Sequence, residues 1–226
     1  MYTAVLLSGC GVYDGSEIHE SVLTLLSLEE YNIKYHCVAP NIEQKHVINH
    51  INGKEKSNKR NVLEESARIA RGKISSLDEL DYNQISSLVI TGGFGAAKNL
   101  SSWAFEGENS TVIKQVKKII MHCIDNKKPI LSLCISPVLI SKTLEKAEYN
   151  PKLSLGSKNA KSDYNIIDMH KTLSNLGVET HDCSIQEICV DENLKIISAP
   201  CYMLDAKIYE VRDNINMAIK KLKSYL

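Results

Sequence analysis

The chain carries no excess of charge: lysine plus arginine and aspartate plus glutamate number 27 each in 226 residues. Modules that grip nucleic acid carry a basic excess or stripe, so this balance argues against a polyanion partner. No block of like charge stands out. The densest stretch, "KEKSNKR" at residues 54–60, mixes signs and reads as a solvated loop. No apolar run approaches the ~18 residues that a membrane span needs, so no membrane partner is expected. The start, "MYTAVLLS", lacks a basic n-region and reads as a first strand rather than a secretory leader. The seven cysteines are an odd number, with no C-x-x-C pair and no zinc spacing. There is no phosphate loop and no aspartate-rich magnesium motif. These absences lead to the expectation of a cytoplasmic protein with free thiols, no metal and no cofactor.

What is present is ordinary globular composition, with 43% apolar and 24% charged residues. A chain of this length suits one domain that buries roughly 70% of its unfolded surface without staples. Short apolar runs at residues 2–8, 35–39, 87–91, 130–133, 153–155, 185–190 and 195–198 read as strands, the last two joined as a hairpin around Asp191-Glu192-Asn193. Between them lie helical periodicities. Ile18, Val22, Leu25, Leu26 and Leu28 form one stripe, with Asp14 as cap and Glu17 three residues on. Residues 110–126 and 206–222 form two more amphipathic helices, and 164–176 another, stopped by Gly177. Residues 41–82 break the rhythm and read as an insertion, with a type I′ hairpin at Asn52-Gly53 and a helix over 62–71. Alternation of strand and helix predicts an α/β, flavodoxin-like doubly wound sandwich with a mostly parallel sheet and helices on both faces. Ligands of such sheets bind beyond the carboxyl ends of the strands, which directs attention to residues 9–20, 92–99, 134–137 and 200–204.

Cys134 ends the strand in "PILSLCISP", and Pro137 suits the first turn of the following helix. A residue on such a strand-to-helix elbow is held exposed at the sheet's edge, and the helix N-terminus favours thiolate. A packed core thiol is the competing reading. Gly92 and Gly93 follow another strand and can turn N–H groups into the cleft, which with Ile135 N–H would make an oxyanion hole; a plain loop is the alternative. Glu17 and Glu20 share a helix face. Glu17 fits a charge that complements the helix dipole, whereas Glu20, one turn in, is placed to act as an acid or base. His19 between them is a competing proton carrier. Phe94, Lys98, Asn99 and Tyr202 are candidates to line the cleft.

The segments "SGCGVYDGSEIHE" (8–20), "INHINGK" (48–54), "RNVLEESARIARG" (60–72), "GGFGAAKNLS" (92–101) and "LCISP" (133–137) together resemble the ElbB family of isoprenoid-biosynthesis, or enhancing-lycopene-biosynthesis, proteins. That family falls in the class I glutamine amidotransferase-like superfamily, beside PfpI-type proteases and protein deglycases. The resemblance spans nearly the whole chain. It implies a flavodoxin-like fold, a homodimer, an elbow cysteine at Cys134, an E-x-x-E pair at Glu17 and Glu20, and an oxyanion glycine pair at Gly92 and Gly93. It also implies a glyoxalase-type activity on a small carbonyl substrate, glyoxal to glycolate, without a cofactor. Relatives carry a histidine about one strand beyond the elbow; here "LGSK" (155–158) stands there, and the next histidine is His170. The alternatives are a redox or stress protein, with Cys10 and Cys201 near Cys134, and a glutamine-hydrolysing enzyme. The latter uses H-x-E, and none of the seven histidines is followed two positions on by glutamate.

Overall fold

The computed structural model describes residues 1–226. The chain runs β1 (Tyr2–Leu6), α1 (Ile18–Glu30), β2 (Tyr35–Ala39), α2 (Val62–Ile69) and β3 (Ile74–Ser76). It continues through β4 (Ile85–Ile90), two short helices α3 (Phe94–Lys98) and α4 (Trp103–Glu106), α5 (Lys114–Asp125), β5 (Ile130–Leu133) and α6 (Pro137–Leu144). The last third holds β6 (Lys152–Leu153), α7 (Ile166–Asn175), β7 (Glu179–Thr180), β8 (Cys189–Asp191), β9 (Ile196–Ala199) and α8 (Ile208–Lys223). Seven strands make one sheet in the order β3-β2-β1-β4-β5-β9-β8, parallel except for β8. β6 and β7 pair apart from it. This is the flavodoxin-like architecture expected from the alternation.

Residues 4–7, 88–90 and 130–133 are fully buried, the pattern of strands covered on both faces. β1 leads outward to β2 and β3, whereas β4 leads the other way to β5 and β9, so the winding reverses between β1 and β4. Right-handed crossovers put α1 and α5 on opposite faces; α8, which follows β9, packs beside α1, and α6 beside α5. The reversal opens a crevice at the carboxyl ends of β1, β4 and β5.

Three local expectations fail. Asp14 does not cap α1: Glu17 does, its carboxylate accepting the N–H of Glu20 at 2.7 Å. Asp14 Oδ2 instead accepts Ile48 N–H at 2.6 Å, tying the loop after β1 to the segment before α2. The expected apolar stripe of α1 is turned around. Ile18, Val22 and Leu26 are exposed, while Glu20, Ser21, Thr24, Ser27 and Leu28 face inward. Residues 48–55 do form a hairpin, with an antiparallel bridge between Ile48 and Glu55. It is not type I′, which needs positive φ at both central residues, because only Gly53 has it (φ 68°). The helix over 62–71 is present in shorter form, and β3 just beyond it joins the main sheet as its edge.

Asn99 follows α3 and is buried. Its amide donates to the carbonyls of Ser8 and Asp14, both at 2.9 Å, and its Oδ1 accepts Lys45 N–H at 2.9 Å. One side chain thus joins three connections at the crevice. Removing it takes the partner from two buried carbonyl contacts and from the Lys45 N–H at once. Asn99→Ala is expected to cost about 3 kcal/mol, read as a lower urea midpoint at unchanged m-value.

Candidate active site

Cys134 follows β5 directly and adopts φ 57°, left-handed backbone that a residue with a Cβ rarely holds. Such strain costs on the order of 1–3 kcal/mol and persists only where the surroundings impose it. Here they do. Cys134 N–H donates to Ala199 O at 2.9 Å, and Leu133 N–H donates to Ser136 Oγ at 2.9 Å. Ser136 Oγ in turn donates to Ile90 O at 3.1 Å. The elbow is pinned to both neighbouring strands without the flanking glycines of the hydrolase pattern.

Gly92 separates the thiol from a carboxyl. A Cβ at Gly92 would stand 2.2 Å from Glu20 Oε2, 2.4 Å from Cys134 Cβ and 3.0 Å from Cys134 Sγ. Glu20 Oε2 and the sulfur therefore lie within 5.2 Å of each other, the sum of the first and last of those distances. Gly93 has φ 95°, and a Cβ there would meet Glu17 N at 2.3 Å. Only glycine fits either position.

Glu20 is fully buried with no cation beside it. Its Oε1 accepts Tyr202 N–H at 3.2 Å, and Oε2 has no hydrogen-bond partner. Burial pushes the carboxyl up to about 8, with the charge of Glu17 acting the same way; Tyr202 N–H, the Cys134 thiol and Gly92 N–H oppose this more weakly. At neutral pH Glu20 is thus largely protonated. Burial also lifts Glu17, against the helix N–H groups that it caps. The Cys134 thiol stands well above its usual range, raised by burial and then by the charge of Glu20. The N–H groups of Gly93 and Ile135 face the sulfur and oppose that rise. The thiolate expected from the helix N-terminus is therefore not the resting form, because burial outweighs the dipole. Gly93 and Ile135 are thus the two amides that face the sulfur.

A pocket of about 300 Å³ opens over Cys134. Phe94 and Tyr202 line it, as anticipated. Lys98 does not: its Nζ donates to Tyr13 O at 2.9 Å. Asn99 is the structural tie described above. His19 is exposed and bonds the Tyr202 hydroxyl at 3.0 Å, so it supports a wall residue from behind. Cys201 is buried, and its thiol donates to Asn214 Oδ1 at 3.6 Å. Cys10 lies among Glu65, Arg68 and Arg60, near α2. His170 is buried on α7, its Nε2 accepting Leu155 N–H at 3.4 Å. Trp103, Tyr164, Met169 and Met203 also line the pocket. They come from three separate segments, around α4, the start of α7 and the turn after β9, and no local motif marks them. A wider open groove of about 1510 Å³ lies beside the starts of β1 and β2, at the opposite ends of the strands.

No protein-family model matches the chain. It is 36% identical over 221 residues to the ES1 protein homolog, mitochondrial, of Rattus norvegicus, covering 97% of this chain and 82% of that protein. The chain belongs to the ES1 family. Its human relative, named glutamine amidotransferase-like class 1 domain-containing protein 3, mitochondrial, is 35% identical over 97% of this chain and 81% of its own length. A crystal structure of an isoprenoid biosynthesis protein with amidotransferase-like domain from Ehrlichia chaffeensis matches over the whole of both chains, at TM-score 0.89 and 33% identity. These relatives place the ES1 fold in the class I glutamine amidotransferase-like superfamily. Glyoxalase III of Candida albicans shares the fold at TM-score 0.58 and 11% identity, over 98% of this chain and 97% of its own. The cytoplasmic expectation is overturned: the curated relatives from rat, human and Danio rerio are all named mitochondrial proteins. Balanced charge and free cysteines do not distinguish one reducing compartment from another.

The raised Glu20 carboxyl has a consequence for stability. A carboxyl ordinarily near 4.5 that titrates near 8 in the fold binds more protons folded than unfolded between those values. Stability therefore falls as pH rises through that window. Glu20→Gln removes the ionisation and keeps the shape. It is expected to raise Tm by several degrees at pH 8.5 and to change it little at pH 4.5, measured by calorimetry at both values.

Proposed function

We propose that the chain is a cofactor-independent thiol enzyme of glyoxalase type, acting on small reactive dicarbonyls. The observation that carries this reading is the crowding of the Cys134 sulfur and the buried Glu20 carboxyl around Gly92, with the sulfur lining a pocket. The Cys134 sulfur attacks the aldehyde carbon while Glu20 carboxylate takes the S–H proton, so no standing thiolate is needed. The new alkoxide meets the N–H groups of Gly93 and Ile135, preset where negative charge develops. Glu20 returns the proton to that oxygen, completing a hemithioacetal. The carboxylate then moves the C1 hydrogen to C2 as a proton, which converts the adduct to a hydroxyacyl thioester. Water hydrolyses the thioester, releasing the 2-hydroxy acid and the thiol. Carbon is neither oxidised nor reduced overall, so no redox partner is required.

Glutamine is a poor fit to the same pocket. No lysine, arginine or histidine lines it to hold the amino acid's carboxylate, and Glu17 stands in the wall. Within the superfamily we assign the chain to the ElbB branch, on the sequence segments given above and the naming of the Ehrlichia protein.

Cys134→Ser is expected to lower glyoxal turnover roughly a thousandfold or more with an unchanged circular dichroism spectrum; unchanged turnover sinks the proposal. In the wild-type chain kcat/KM is expected to climb with pH and level off above about 8, where Glu20 has lost its proton. A profile flat from pH 6 to 9 would remove Glu20 as the base.

A further inference from the structure

Glyoxal is the smallest dicarbonyl, and the space over Cys134 is much larger than it needs. The pocket holds about 300 Å³, whereas an apolar cavity of about 150 Å³ already takes a benzene ring. Eleven of its thirteen lining residues are apolar or aromatic, the others being Glu17 and Gly93. Phe94 and Tyr164 stand with ring centroids 6.1 Å apart at 57°, a tilted arrangement that presents ring faces and edges to a further ring. Trp103 adds a third aromatic surface, and Met169 and Met203 supply flexible thioether walls that mould to irregular shapes. Lys98 Nζ lies over the Phe94 ring, 5.2 Å from its centroid, but is spent on the Tyr13 carbonyl. An anionic substituent would meet Glu17 and no cation.

Resting on the glyoxalase reading of Cys134 and Glu20, we infer that the substrate is an α-oxoaldehyde whose ketone carbon bears an uncharged aryl or bulky aliphatic group, seated against Phe94, Trp103, Tyr164, Met169 and Met203. The aldehyde end reaches Cys134, and the apolar group fills the rest of the pocket. The product is the matching 2-hydroxy acid, formed by the same hydrogen shift and hydrolysis with nothing else consumed. Burying a ring in such walls favours the aryl substrate through kcat/KM, because the contact forms with the enzyme and not in water.

The test compares phenylglyoxal with glyoxal on the full-length chain. The expected kcat/KM for phenylglyoxal is at least about tenfold higher, the scale of discrimination that hydrophobic pockets reach. Trp103→Ala is expected to shrink that ratio by roughly tenfold. Trp103 is also the only tryptophan, so its fluorescence reports occupancy. Mandelamide, an uncharged analogue of the aryl product, is expected to quench it at far lower concentration than glycolamide. Equal or better use of glyoxal, with turnover still dependent on Cys134, overturns this inference alone. A ratio untouched by Trp103→Ala, or equal quenching by the two amides, overturns it as well. Turnover of both aldehydes that survives Cys134→Ser, or none of either, overturns the parent reading and this one together.

Discussion

A carboxyl group sits wholly inside this protein with no cation to balance it, and the surrounding structure is arranged around that fact. Glu20 is held at the carboxyl end of the sheet by α1, whose start Glu17 caps. An isolated ionised carboxylate is too costly to bury, so the group shifts its titration instead. The shift persists because the frame is rigid: residues 3–6 of β1, 87–90 of β4 and all of β5 are buried, and the three strands are locked in parallel register. The glycines at 92 and 93 follow from the same crowding. The strained backbone of Cys134 brings the sulfur to the far side of Gly92, against the same small space.

The turned face of α1 follows from Glu20 too. A helix that must deliver a carboxyl to the sheet's edge has to bury the face that carries it. Small side chains on that face, Ser21, Thr24 and Ser27, let the helix approach closely, while Ile18, Val22 and Leu26 are left facing outward. Hydrophobic periodicity locates such a helix correctly and orients it wrongly, because the pattern rewards apolar burial and is blind to a functional exception.

Other parts were legible in proportion to how local their causes are. β4 and β5 are apolar runs bounded by turn residues, and α5 and α8 carry clean stripes, so their positions followed from composition alone. The elbow at Cys134 was legible because a strand, a cysteine and a helix-starting proline occur in nine residues. α3 and β7 were not, being too brief to show a period. The pocket walls were the least accessible. Trp103, Tyr164 and Met203 come from α4, the stretch before α7 and the turn after β9, and only the closed fold brings them together. The thiol's state was misjudged for a related reason. A helix N-terminus is visible in sequence, whereas burial, which reverses its effect here, depends on what other segments supply.

That reversal bears on which chemistry the site can support. A redox sensor needs a thiol that is ionised at rest and reachable by peroxide. Cys134 meets the second condition, since it lines the pocket, but not the first: burial, and then the charge of Glu20, raise its thiol. Its neighbouring thiol, Cys201, is bonded to Asn214, and Cys10 lies among charged residues near α2. A neutral thiol beside a carboxyl of raised basicity is instead a proton-sharing pair, in which the carboxylate form is rare at neutral pH but strongly basic when it occurs. On the proposed reading such a pair becomes nucleophilic as the proton passes to Glu20, while an electrophilic carbon and the amides of Gly93 and Ile135 receive the charge. The burial that makes Cys134 a poor sensor thus makes Glu20 a better base.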